Sequence, residues 1–238
     1  MVVISSQSLT QQIVNELGLA IVQGKYGAEN PFPIEADLCA QFGVSRSVLR
    51  EAVKMLTSKG LLRARPRQGT WVLPEQSWNL LDPDVLRWLL DRNFSIELLS
   101  EFTEIRLAIE PQAAAFAAVR ATPEEKQTIA DALARMQAAE RGDDDALSSD
   151  IAFHVAVLEA SGNRFFSQLK DLVETALRIS IRLTNQYKGV ALASVTDHKK
   201  VLDAIMSGDE KTAFAASYAL VKEANDLIAK AKSGPPKG

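Results

Sequence analysis

Cysteine is nearly absent. Cys39 is the only one in 238 residues, which excludes an internal disulfide and a multi-cysteine zinc site. It lies between Leu38 and Ala40, where a buried filler role is expected. Histidine is almost as scarce: His154 and His198 are the only two, so any imidazole chemistry must use one or both. No run of about 18 apolar residues occurs, and the opening "MVVISSQSLTQQ" lacks a basic stretch followed by an apolar one. Neither a membrane span nor a secretory signal is therefore expected, and the expected location is cytoplasmic. The sequence also lacks a Gly-rich phosphate loop and a nucleophile motif, and its net charge of -3 gives no overall excess of one sign.

What is present is better read by position than by average. Hydrophobic residues make up 47% of the chain, enough for the cores of two modest domains or one large one. Between Arg46 and Arg67 lie Arg46, Arg50, Lys54, Lys59, Arg63, Arg65 and Arg67 against a single acid, Glu51. Residues beyond 74 carry the compensating acidic excess. A basic end joined to an acidic body suggests a phosphate-binding module attached to something else.

Leu9, Ile13, Leu17 and Ile21 recur at helical spacing until Gly24, and "IEADLCAQFGV" gives a short second helix closed by Gly43. The stretch "SRSVLREAVKML" follows, with Ser45 as N-cap and Val48, Leu49, Ala52, Val53 and Leu56 around the apolar side. Arg46 and Arg50 stand four apart on the other face, where cations in a first turn oppose the helix dipole. Next, "LLRARPRQGTWVLP" alternates, with Leu62, Ala64, Trp71 and Leu73 apolar and Pro66 and Gly69 bracketing a turn. The expected fold is mainly α: a winged helix-turn-helix with a small β-hairpin wing over 1–74, a linker over 75–83, and an all-α bundle over 84–232. Residues 233–238 are expected to form a disordered tail. Helices are expected at 83–92, 96–120, 123–141, 144–161, 164–188, 191–207 and 209–231, with a capping box at "TPEE" and a kink or break at Pro111.

If the basic helix enters a major groove, Arg46 and Arg50 suit guanine, because a guanidinium can donate two bonds to O6 and N7. Ser45 and Ser47 are candidates to donate to phosphates or bases. Lys54, Arg63, Arg65, Arg67 and Thr70 would fix position along the backbone, with Gly69 allowing close approach of the wing tip. The competing reading is a solvated cationic face. In the body of the chain, Asp150 and His154 are spaced i, i+4 among Ile151, Phe153, Val155, Val157 and Leu158, so a carboxylate and an imidazole project together with little solvated side. Two solutions stay open: a hydrogen-bonded Asp–His pair in a core, or a divalent metal with His198 from a later helix as third ligand.

The stretch "PFPIEADLCAQFGVSRSVLREAVKMLTSKGLLRARPRQGTWV" resembles the DNA-binding domain of the GntR family of bacterial regulators. A basic residue often lies between the family's two acids, where this chain has Ala36. "EFTEIRLAIEPQAAAFAA", "DIAFHVAVLEASGN" and "DHKKVLDAIMSGDEKTA" resemble the FCD effector domain of the FadR branch. That resemblance places Asp150, His154 and His198 on metal-ligand positions, zinc being the expected ion. The branch's remaining histidine, about six helical turns beyond His198, is replaced by Leu220. It also implies an effector carboxylate gripped by Arg106, with Arg178 and Arg182 as further candidates for the same pocket. The bland alternative for Arg106 is a salt bridge to Glu110, and for Asn163 a helix-terminus role.

The resemblance implies a homodimeric regulator, most simply a repressor, binding palindromic operator DNA under control of a small carboxylate. The segment "SWNLLDPDVLRWLLD" narrows that effector to a sugar acid or related hydroxy acid. Two other classes compete: a metal-dependent enzyme with an accessory DNA-binding domain, and a structural dimer with an empty bundle.

Overall fold

A computed structural model of the chain describes residues 8–27, 29–65, 68–92, 96–188 and 194–232, with 182–188 and 231 described by their backbone alone. The expected tail at 233–238 lies outside the described residues. Two compact units emerge, Met1–Phe94 and Ser95–Gly238. Among the described residues, no helix is long and apolar enough to cross a membrane.

The first unit is built from α1 (Leu9–Val22), α2 (Glu35–Phe42), α3 (Arg46–Ser58), a hairpin of β1 (Leu62–Arg65) and β2 (Gly69–Val72), and α4 (Pro83–Arg92). Ile13, Leu17 and Ile21 of α1 meet Leu49, Ala52 and Leu56 of α3 in the core, as the helical spacing requires. Gly43 ends α2 at φ 64°, a left-handed conformation that lets α3 start three residues later. The strands are antiparallel with Leu62 opposite Val72 and Arg65 opposite Gly69. Only Leu62 of β1 is buried; Ala64, expected to point inward, is exposed because so short a hairpin covers the body at its base alone.

The boundary expected at 75–83 does not separate α4 from this unit. Trp88, 2% exposed, packs against Gly18 of α1, where any side-chain carbon would collide with the indole. Lys59, at the end of α3, donates to Asp82 at 2.7 Å and Asp84 at 2.9 Å, and Trp78 Nε1 donates to the Leu73 carbonyl at 3.0 Å. Lys59, counted in the basic segment, is thus paired with two carboxylates, and the segment 75–83 is docked through Trp78.

The second unit contains α5 (Ile96–Arg120), α6 (Pro123–Glu140), α7 (Ala146–Ala160), α8 (Arg164–Gln168), α9 (Lys170–Lys188), α10 (Val195–Ser207) and α11 (Glu210–Lys232). Alanines 113, 114, 115, 117 and 118 let α5 lie close to its neighbours, chief among them α11. Pro111 does not break α5: it is buried in a continuous helix that loses one backbone hydrogen bond there. The capping box at Thr122 and Glu125 is formed, with bonds of 2.8 and 3.2 Å. The expected single helix over 164–188 is instead two. The Leu169 N–H closes a tight turn on the Phe166 carbonyl at 3.0 Å, ending α8 so that α9 starts afresh.

Candidate functional site

In the second unit, three helices converge on a buried polar chain. α7 carries Asp150 and His154 one turn apart, α10 carries His198, and α5 carries Arg106 and Glu110, also one turn apart; all five are buried. Arg106 Nε and Nη2 donate to the Glu110 carboxylate at 2.5 and 3.2 Å. The other face of that carboxylate lies 2.9 Å from His154 Nδ1. On the far side, His198 Nδ1 lies 2.8 Å from the Ser194 carbonyl, within the turn that Ser194 caps. Phe153 covers His198 edge to face at 4.9 Å.

These partners assign the tautomers. A carboxylate and a carbonyl only accept, so both Nδ1 atoms carry the proton, and in a neutral ring each Nε2 presents a lone pair. The two Nε2 atoms are 3.4 Å apart, and Asp150 Oδ1 lies 3.4 Å from one and 3.0 Å from the other. The two imidazoles are within hydrogen-bond reach of each other, but Asp150 Oδ1 is left buried with no hydrogen-bond partner. Three electron-rich atoms thus face one another in a dry interior, which is unfavourable unless a positive charge sits between them.

In the absence of a metal, a proton meets that demand. Burial works against imidazolium at His154, but the Glu110 and Asp150 carboxylates outweigh it and raise its pKa to about 9. Burial likewise pushes the Asp150 and Glu110 carboxyls up. It is overcome at Asp150 by the two imidazoles, which hold it well below the usual carboxylate range, and at Glu110 by Arg106 and His154, which bring it to about 2. A divalent ion fits the same place. Ligands held about 2.1 Å from a metal stand about 3.0 to 3.4 Å apart in octahedral or tetrahedral arrangements, and the three observed separations fall there. Asp150, His154 and His198 form a buried group able to hold a metal ion. Leu220, at the position of the branch's further histidine, is half-buried and offers no ligand atom.

Glu110 is the member that sequence reasoning named only as a salt-bridge partner; the imidazole proton it accepts comes from another helix. Arg178 does not join this group. It lies on the exposed side of α9, bonded to Glu174 at 2.6 Å, because Val173, Leu177 and Ile181 take the inward phase. The Arg182 side chain lies outside the described residues. Asn163 caps α8, its Oδ1 accepting from the Phe165 N–H at 3.0 Å.

The first unit presents the cationic surface. Ser45 caps α3, its Oγ accepting from Val48 N at 3.5 Å and lying 2.9 Å from Ser47 Oγ. Arg46 and Arg50 project from the first turns with side chains 74% and 64% exposed, both toward Glu35 of α2. Lys54 is exposed beside Glu51. Arg65 lies over the Trp71 ring at 5.6 Å, while Gly69 is open to solvent and Thr70 is half-exposed next to it. Arg67 lies outside the described residues. A groove of about 870 Å³ between α3 and the hairpin is lined by Glu35, Arg50, Lys54, Arg65, Gly69 and Thr70. Ser45, Arg46, Ser47, Arg50, Lys54 and Arg65 are therefore all solvent-facing, as a surface for a polyanion requires.

Comparisons with known proteins match each unit separately. Residues 9–72 match the model of bacterial regulatory proteins of the gntR family, and residues 101–223 match the FCD domain. The galactonate operon transcriptional repressor of Escherichia coli K12 is 34% identical over 89% of this chain and 93% of its own. The putative L-lactate dehydrogenase operon regulatory protein of the same organism is 30% identical over 87% of this chain and 81% of its own. Among solved structures, Streptococcus agalactiae GntR shares the fold with a TM-score of 0.50 at 22% identity, over 91% of this chain and 99% of that one.

Proposed function

The chain belongs to the gntR family of bacterial regulatory proteins and carries an FCD domain, and from that premise we propose that it is a homodimeric repressor released from a palindromic operator by a small sugar acid or hydroxy acid. It is a ligand-responsive transcription regulator in which the first unit binds DNA and the second receives the effector. The observation that carries this reading is the solvent-facing pair Arg46 and Arg50 at the front of a capped helix beside a wing. Arg50 and Arg46 read guanine in the major groove, while Ser45, Ser47, Lys54, Arg65, Arg67 and Thr70 hold the phosphate backbone, with Gly69 at the wing tip. Two copies supply the half-sites, about 34 Å apart, that one reading helix cannot cover.

In the bundle, Asp150, His154 and His198 would hold a divalent ion, zinc by the nature of its ligands. When bound, that ion supplies Lewis acidity that anchors an effector carboxylate or hydroxyl oxygen. Glu110 fixes the His154 tautomer, and Arg106 fixes Glu110 while keeping N–H groups that the carboxylate does not use. One relative, 34% identical, is a galactonate operon transcriptional repressor, which makes aldonates the first effectors to try. An enzymatic reading of the same group lacks a free general base, since Glu110 is committed to Arg106 and His154.

The test is fluorescence anisotropy on the DNA upstream of the protein's own coding region, with and without aldonates, uronates and short hydroxy acids. Specific binding weakened by one of them is expected. Specific binding that none of them changes overturns the effector, and turnover of a bound acid overturns the regulatory assignment. Elemental analysis of purified protein checks the ion: under a tenth of an equivalent, unaltered by added zinc, removes it from the scheme.

A further inference from the structure

Glu35 opens α2, where an acid is expected to complement the helix dipole. Its carboxylate instead reaches across to α3. Oε2 accepts from Arg50 Nε at 2.8 Å, and Oε1 lies 3.7 Å from Arg46 Nε. One carboxylate thus stands between two cations, one oxygen for each. Both contacts use the Nε edge, which leaves the two terminal nitrogens of each guanidinium unengaged. Those nitrogens form the end-on fork that pairs with O6 and N7 of guanine.

Stability does not account for the arrangement. The arginines are 74% and 64% exposed and the glutamate 36%, and ion pairs so solvated contribute little to folding. Their other consequence is orientation: a long side chain free in solution samples many rotamers, and one held at Nε samples few. The carboxylate also lines the groove between α3 and the hairpin, where it opposes any phosphate backbone, whatever its sequence.

We propose that Glu35 is a positioning residue of the reading surface, holding Arg50, and more loosely Arg46, by their inner edges so that their forks meet guanine, while its charge weakens binding to DNA of any other sequence. The proposal rests on the DNA-reading role given above to the two arginines. It assigns Glu35 to specificity at the expense of total affinity, a division that removing a phosphate contact does not produce.

The experiment uses the full chain. An operator is first selected by wild-type protein from random duplexes, and the base pair whose preference is lost in Arg50→Ala is identified. Glu35→Ala, Glu35→Gln and the double variant with Arg50→Ala are then measured on that operator, on the operator changed at that pair, and on random duplex. Glu35→Ala is expected to bind random duplex more tightly and to lose about tenfold in guanine preference. Glu35→Gln keeps an oxygen that accepts from Nε without the charge, so it should share the tighter random binding and retain most of the preference. The double variant should show no less preference than Arg50→Ala alone. Two outcomes overturn the proposal: preference within twofold of wild type in Glu35→Ala, or equal loss in Glu35→Ala and Glu35→Gln together with a fallen Tm, which makes Glu35 a support for α2. Wild-type protein that selects no operator at all sinks the DNA-reading role itself, and does so before any Glu35 variant is compared.

Discussion

Arg50 with Glu35 and Arg106 with Glu110 are the same two chemical groups in opposite surroundings. The first pair is solvated on the face of a short unit, while the second is sealed in a helical bundle at 3% and 2% exposure. A solvated pair can take a further partner at the unused end of its guanidinium with little change in energy, which is what a residue awaiting DNA needs. A sealed pair cannot, since each member is a buried charge without the other. The contrast separates a surface that waits for a partner from an interior that fixes its neighbours, even though the sequence writes both as an arginine and a glutamate.

The sharpest way to break the contrast is to remove one sealed partner. Glu110→Ala leaves Arg106 uncompensated in the bundle and should destabilise that unit by roughly 3 to 5 kcal/mol, read as an early transition in thermal unfolding. Arg50→Ala, the matching change outside, should leave Tm where it is. A Glu110→Ala protein that melts with wild type would mean that the bundle admits water to this pair.

Metal removal comes next. Zinc at about 100 times its dissociation constant should stabilise the protein by about 2.7 kcal/mol. Chelation should reverse the shift, and His198→Ala should abolish it. Metal-free protein should in addition respond to pH. His154 is raised from 6.5 to about 9 in the fold, so the stability its proton contributes is complete below about pH 6.5 and is lost as pH rises through 9. Zinc-loaded protein has no such proton to lose, and its unfolding free energy should be flat over that window; a parallel decline in both forms would count against the shared place of proton and ion.

Outside, the effects are smaller and fall on recognition. Arg50→Ala should lose sequence preference by about ten- to a hundredfold. Arg65→Ala should weaken all duplexes alike and lower the salt slope by about one unit. Smallest of all is Arg178→Ala, which removes an exposed pair on α9 and should leave both the effector response and Tm unchanged.

The two regions also differ in how much of them could be read from sequence. The front end is local: Gly43, the Ser45 cap and the alternation around Gly69 lie within a few dozen residues, and each fixes its own turn. In the bundle, i, i+4 spacing was enough to pair Asp150 with His154 and Arg106 with Glu110. It could not join the pairs, because the Glu110 bond to His154 depends on how α5 meets α7. Arg178 was misplaced although its neighbours Val173, Leu177 and Ile181 already defined the inward face. Lys59 was counted in the basic segment without its counter-ions because Asp82 and Asp84 reach it only through the docking of the segment that follows the hairpin. Nothing in "SQLKD" marks the end of α8, since neither glycine nor proline is present there.

That docking decides where the amino-terminal unit can be cut. A fragment stopped at residue 74 would lose the indole that fills the notch at Gly18 and would strip Lys59 of both its counter-ions, baring an apolar seat beside an unpaired ammonium. Extended to Arg92, the same fragment keeps its own lid, and it should be the shorter piece, not the longer, that aggregates on expression.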